Sequence, residues 1–120
     1  MQIDPVGYVK RLSEEEFLIE LSPSYTEGLH GIATGERLDV LYWMHKLDPN
    51  QRRILKVHPR GDTSRPLKGV FGVRSPMRPN PIGVSSVSVL RIAGPKLYVT
   101  PFDAADGSPV IDIKASPRRS

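Results

Sequence analysis

The chemistry of this chain concentrates in one run, Gly69-Val70-Phe71-Gly72-Val73-Arg74-Ser75-Pro76-Met77-Arg78-Pro79-Asn80-Pro81-Ile82-Gly83-Val84-Ser85. Three prolines, Pro76, Pro79 and Pro81, fall within six residues, with Asn80 between the last two. Proline fixes φ and has no amide to give to a strand ladder, so this run must be a rigid connection between strands. A connection stiffened in advance presents backbone groups and the Arg74 and Arg78 guanidinium groups to a ligand at little ordering cost. The same composition also makes an ordinary proline-rich turn, and composition does not separate the two.

Carboxylates follow at Asp103, Asp106 and Asp112. Asp106-Gly107 is a hairpin signal, so a turn is the plain reading of that aspartate. Asp112 and Lys114 alternate with Ile111 and Ile113, which puts the charged pair on the strand face opposite the isoleucines, either solvated or at a pocket. His45 ends an apolar run, Val40-Leu41-Tyr42-Trp43-Met44-His45, where a base, a hydrogen-bonding site residue or a packed imidazole would all fit. His30, His45 and His58 have no i,i+4 partner and no companion cysteine, so they do not read as a metal site.

Positive charge has its own tract. Arg52, Arg53, Lys56, Arg60, Arg65, Lys68, Arg74 and Arg78 have Asp62 as the only acid among them. Such a group attracts a phosphate backbone through counterion release, and Arg52, Arg53, Lys56 and Arg60 are the candidate RNA contacts; a solvated basic surface is the other reading. No RNP1 sequence or helix-turn-helix pattern accompanies it.

The elements that position these residues follow from composition and pattern. With 120 residues the chain makes one small domain with a modest core. Net charge is +4, and it is uneven: residues 1–58 hold seven Lys and Arg against nine Asp and Glu, residues 59–120 ten against four. Twelve prolines and ten glycines disfavour long helices. The absence of cysteine excludes a disulfide framework and a thiolate nucleophile and suits a reducing cytoplasm. No signal-peptide pattern or membrane-length apolar run occurs, so a soluble, unprocessed cytoplasmic protein is expected.

Short runs rich in Val, Ile, Tyr and Phe, broken by Gly, Pro, Asn and Asp, predict strands at residues 3–10, 17–21, 38–44, 54–58, 69–73, 84–92, 96–102 and 110–113. So many strands in so short a chain predict an all-β, mainly antiparallel fold, a small closed or nearly closed β-barrel. One short helical turn is expected after Ser24, where Ser24 and Glu27 have capping-box spacing. The barrel domain is expected to span residues 1–114, with 115–120 as a flexible tail.

The ten residues Arg74 to Gly83, R-S-P-x-R-P-N-P-I-G, resemble the signature of the TrmO (YaeB, TsaA-like) family of S-adenosylmethionine-dependent methyltransferases. Gly28-Leu29-His30-Gly31-Ile32 and Val40 to His45 are similar to the family's L-x-G and V-L-x-W-x-H segments, and Asp106 to Lys114 to its D-G-T-P-V-x-D-I-K block. The resemblance covers nearly the whole chain. Longer members continue into a further domain after that block, whereas six residues follow Lys114 here. Where the family has an aromatic residue and a histidine before V-L-x-W, this sequence has Glu36-Arg37-Leu38-Asp39.

The resemblance implies a β-barrel that binds S-adenosylmethionine, pairs as a homodimer, and methylates N6 of threonylcarbamoyl-adenosine beside the anticodon of tRNA. Cofactor contacts are then expected from Arg74, Ser75, Pro76, Arg78, Asn80, Pro81, Ile82, Gly83, Ser85, Asp112 and Lys114. Arg74 would clamp the cofactor carboxylate, and Gly83 would allow close backbone approach. His45, Asp103 and Asp106 are the candidates for accepting the acceptor proton. Two readings of another kind stay open: a noncatalytic barrel that binds S-adenosylmethionine or RNA, and a methyltransferase acting on a different small acceptor.

Overall fold

The computed structural model describes residues 1–117. Six strands close into an antiparallel ring: β1 (Gly7–Arg11), β2 (Phe17–Leu21), β7 (Lys96–Val99), β6 (Ile82–Ala93), β3 (Arg37–Trp43) and β8 (Pro109–Ala115), with β8 returning to β1. The remaining strands, β4 (Lys56–Val57) and β5 (Lys68–Gly69), pair only with each other.

Alternation decides which side chains fill the ring. Along β3, Leu38, Val40 and Tyr42 are buried while their neighbours are not, as a two-residue period on a curved sheet requires. Val9, Ile19, Val87, Val89, Leu97, Val99 and Val110 join them in one buried cluster, capped by Phe17 and Phe102. The Phe102 ring stands edge-on to Tyr42 at 5.5 Å and tilted against Phe17 at 5.6 Å. Branched side chains therefore occupy the lumen, as in other small barrels, and leave no room for a ligand there. Any site must lie at a rim or outside.

Three predicted elements differ from the structure. The runs at 54–58 and 69–73 do not enter the barrel: the first contributes two strand residues, Lys56 and Val57, and the second only Gly69, while Val70–Gly72 turns into a short 3-10 helix instead. Flanking Pro59, Pro66 and Gly72 stop the ladder from extending. The capping box does not form, because Pro23 begins a 3-10 helix (Pro23–Leu29) two residues early and makes Ser22 the cap, with no side-chain hydrogen bond. Single 3-10 turns also occur at Gln51–Arg53 and Pro59–Gly61.

At the other end of the chain, β8 runs through Ala115, which pairs with Leu38, and the Ser116 amide donates to the Arg37 carbonyl at 3.2 Å. The predicted tail thus begins as strand; residues 118–120 lie outside the described residues. Among the described residues no helix is long and apolar enough to cross a membrane.

The consequence for function lies in the connection between β3 and β6. Residues 44–81 leave the barrel as an arm that carries β4, β5, three 3-10 turns and the whole basic tract. A connection this long in a compact domain is ordinarily functional.

Candidate cofactor cleft

The arm returns to the barrel through the proline run, and two arginines hold that run in place. The Arg78 guanidinium donates to three backbone carbonyls: Nε to Ser75 at 2.9 Å, Nη2 to Val73 at 2.6 Å, and Nη2 to Val70 in a close contact. The Ser75 hydroxyl accepts the Met77 amide at 3.1 Å. From the other side, Arg52 Nε donates to the Pro79 carbonyl at 2.9 Å while its guanidinium lies 5.2 Å from the centre of the Trp43 ring. Arg78, expected to present its charge to a ligand, is turned inward, and Arg52, expected to meet RNA, is a tether for the same loop.

What the loop holds open is a cleft at the barrel rim, in two lobes of about 150 and 170 Å³. The inner lobe is lined by Arg74, Ser75, Arg78, Ile82, Gly83, Val84 and Ser85; the outer by His45, Lys46, Leu47, Ala105 and Ser108. Tyr42, Met44 and Asp103 border both. Asp103 is exposed just beyond β7, and its neighbour Phe102 is anchored in the core. Tyr42 Oη and Ser85 Oγ share a hydrogen bond of 3.3 Å across the floor.

Gly83 sits opposite Tyr42 in the β3–β6 pairing. A Cβ there would stand 2.6 Å from Tyr42 Cζ. The close approach that glycine permits is thus that of the Tyr42 ring. Pro81 is buried, and its carbonyl accepts the Met44 amide at 2.7 Å; Asn80 is exposed, its carbonyl taking the Ile82 amide at 2.7 Å. Arg74 differs from the other two arginines: it is exposed, and its bond from Nη1 to the Val84 carbonyl is long, at 3.4 Å.

The cleft therefore brings together Arg74, Ser75, Arg78, Ile82, Gly83, Ser85, His45 and Asp103. Other expected contacts lie elsewhere. Asp106 occupies the turn with Gly107 (φ +85°), and its carboxylate accepts the Arg11 amide at 2.7 Å. Asp112 and Lys114 pair with each other at 2.9 Å and line a separate cavity of about 520 Å³ with Leu29, Ile32 and Leu38. Asp39, in the segment that departs from the family pattern, accepts the Ser86 hydroxyl at 2.6 Å. Pro76 and Arg60 border a second concavity on the arm, and Arg53 and Lys56 are exposed on it.

The strongest charge pairs are on barrel strands and do not line the cleft. The Lys10 ammonium, 2.7 Å from Glu20, holds that carboxyl below its ordinary range, and Arg91, stacked 3.8 Å over Tyr98, does the same for Glu16. Tyr42 and Met44 escaped the sequence reading. The signal for Tyr42 was its place in an alternating strand beside the glycine that makes room for it.

Residues 9–118 match the family model described as the tRNA-methyltransferase O N-terminal domain. The chain belongs to this family.

The match to the TrmO family spans both the barrel and the arm. A probable S-adenosyl-L-methionine-binding protein of Pyrococcus horikoshii is 46% identical over 119 residues, covering 98% of this chain and 84% of that protein. An S-adenosyl-L-methionine-binding protein of Archaeoglobus fulgidus is 39% identical, covering 95% and 88%. A crystal structure of TrmO superposes with a TM-score of 0.73 at 26% identity, covering 97% of this chain and 57% of the other. The chain thus spans most of these archaeal relatives and little more than half of that TrmO.

Proposed function

We propose that the chain is an S-adenosylmethionine-dependent methyltransferase and that its acceptor is N6 of threonylcarbamoyl-adenosine beside the anticodon of a tRNA. Family membership and the S-adenosylmethionine binding for which its relatives are named support the cofactor and the reaction class. The observation that carries the reading is the cleft, where the uncommitted Arg74 guanidinium and the Asp103 carboxylate border one apolar-floored space. That donor set fits a zwitterionic nucleoside: a guanidinium for its carboxylate, hydroxyls and backbone for ribose and base, and an aromatic and a thioether wall for the apolar faces.

When bound, S-adenosylmethionine supplies a methyl group activated by its sulfonium. The protein's part is alignment and charge. Arg74 donates to the cofactor carboxylate, Ser75 and Ser85 orient the polar edge, and Tyr42 with Met44 excludes water from the floor. Asp103, which borders both lobes, accepts the proton that the acceptor nitrogen loses. A tRNA acceptor implies action in the cytoplasm.

The test uses radiolabelled S-adenosylmethionine with total tRNA, followed by nucleoside analysis. Arg74→Ala is expected to weaken cofactor binding more than tenfold in calorimetry, since a hydrogen bond between charged groups contributes about 1.5–3 kcal/mol. Asp103→Asn is expected to keep cofactor affinity and lose transfer by about a hundredfold. Cofactor binding with no transfer to any RNA or small-molecule pool would overturn the methyltransferase and leave a binding barrel, and transfer to a small molecule alone would overturn the tRNA acceptor. Transfer retained by Asp103→Asn and lost by His45→Ala would move the proton acceptor to His45.

The functional unit is proposed to be a homodimer. The two lobes, about 150 and 170 Å³, together only reach the low end of ligand-pocket volumes, and a second copy would wall the cleft further. The arm also carries apolar surface without a cover, Phe71 being 83% exposed and Leu55 and Leu67 each 56%. Phe71→Asp is expected to yield a monomer in sedimentation with weakened cofactor binding. A monomeric wild type that binds S-adenosylmethionine would refute the pairing.

A further inference from the structure

The arm holds a second concavity, of about 610 Å³, that shares Arg74 and Ser75 with the cleft. Its charged lining is Arg60, Arg65, Lys68 and Arg74, joined by His58, and no carboxylate lines it. The contrast with the cavity beside β8, where Glu27, Glu36 and Asp112 outnumber Lys114, is one of sign. Four cations around one hollow repel one another, and an anion bound among them relieves that repulsion.

The arm's fold builds this arrangement from residues spread over the stretch from 58 to 76. His58 Nδ1 bonds the Arg65 carbonyl at 2.8 Å, and because a carbonyl only accepts, Nδ1 carries the proton. That bond closes the loop 58–65 and brings Arg65 beside Arg60. Arg60 has φ +55°, the one non-glycine residue in the left-handed region among those described, followed by Gly61 at +70°. A side chain held there strains the backbone, and the surrounding turn must sustain it. Lys68 lies across Gly72, where a Cβ would come within 2.9 Å of Lys68 Cε. Asp62, the only acid of the tract, does not line the hollow; its carboxylate takes the Ser64 hydroxyl at 2.6 Å and amide at 3.0 Å and stands 4.0 Å from Arg65 Nε.

We propose that this basic hollow binds a backbone phosphodiester of the RNA substrate, next to the nucleoside presented to the cleft, through Arg60, Arg65 and Lys68, with Arg74 on the wall that the hollow shares with the cleft. The inference rests on the tRNA reading above and locates where the strand is gripped. Guanidinium forks suit phosphate oxygens. The hollow is far larger than a phosphate ion, which suits a phosphate carried on a ribose chain. Arg74, common to both spaces, ties the grip on the strand to the geometry of the cleft.

The experiment titrates labelled anticodon stem-loop RNA by fluorescence anisotropy over a range of salt, with calorimetry on S-adenosylmethionine as control. In the variant Arg65→Ala/Lys68→Ala, RNA affinity is expected to fall at least tenfold. The slope of log affinity against log salt is expected to shrink by about 1.5, at roughly 0.7–0.9 per lost phosphate contact. Cofactor affinity and melting temperature stay at the wild-type values. Asp62→Asn, which unmasks Arg65, is expected to tighten RNA binding, so the proposal is tested in both directions.

RNA affinity and slope unchanged in the double variant, with the wild type still methylating tRNA, would overturn the grip and leave the methyltransferase standing. Wild-type RNA binding that depends on Arg65 and Lys68 without methylation of any RNA would uphold the grip and overturn the methyltransferase. Adenosine monophosphate binding as tightly as the stem-loop, and lost in the same variant, would make the ligand a free nucleotide and refute the polynucleotide assignment.

Discussion

Arg78→Ala is expected to disable the cleft chiefly by releasing the loop that forms its wall. Its guanidinium holds the carbonyls of Val70, Val73 and Ser75 at once, and Arg74 lies between the last two. Each hydrogen bond from a charged donor contributes about 1.5–3 kcal/mol, but the loop is solvent-accessible and water replaces part of that. A net loss of about 3 kcal/mol is expected, seen as a melting temperature lowered by roughly 10 °C. S-adenosylmethionine affinity should fall at least as far as in Arg74→Ala, because the loop that carries Arg74 and Ser75 loses its fixed shape. The two variants differ in kind: Arg74→Ala removes a contact and leaves stability alone, whereas Arg78→Ala removes the support beneath it. Arg78→Lys should rescue little, since one ammonium on a flexible stem cannot reproduce a planar fork across three carbonyls. Melting temperature and cofactor affinity both at wild-type values in Arg78→Ala would refute this role.

Arg74 and Arg78 also mark the limit of what the sequence disclosed. Residue type and spacing made both candidates for one task, yet although both line the inner lobe, Arg78 spends its Nε and Nη2 on its own loop and Arg74 does not. The difference is set by where the Val70 and Val73 carbonyls come to rest, which depends on the arm folding back. The barrel was legible because an inside and an outside impose alternation: Leu38, Val40 and Tyr42 on β3 follow it residue by residue. The arm has no such interior. Its apolar runs share the composition of the barrel strands, and only Pro59, Pro66 and Gly72 hint that the ladder stops. Asp106 was read as a site candidate and as a turn, and the turn is where its carboxylate is used, on the Arg11 amide. Asp103, with no turn signal of its own, is the aspartate at the cleft. The basic hollow was half visible, as a tract of charge. Its members became a set only when the His58 bond to Arg65 closed the loop.

Gly83→Ala is expected to act through an aromatic ring. In an ordinary strand this change stabilises by about 0.4–1 kcal/mol, because alanine restricts the unfolded chain. Here the new methyl would lie 2.6 Å from Tyr42 Cζ and 2.9 Å from its hydroxyl oxygen, so the ring must leave its place. Tyr42 is buried, packs edge-on against Phe102 and is bonded to Ser85, and displacing it breaks the packing on both sides. Overpacking of this kind costs about 1–3 kcal/mol, enough to outweigh the backbone gain and lower the melting temperature by roughly 5 °C. Tyr42 also floors both lobes of the cleft, so cofactor affinity should fall with stability. The cause can be isolated with a second change. Leucine at position 42 lacks the ring atoms in question, so in a Tyr42→Leu background Gly83→Ala should cost nothing or stabilise, giving a coupling energy of about 1.5 kcal/mol or more. Strictly additive effects in that cycle would mean that the glycine serves the backbone rather than the ring.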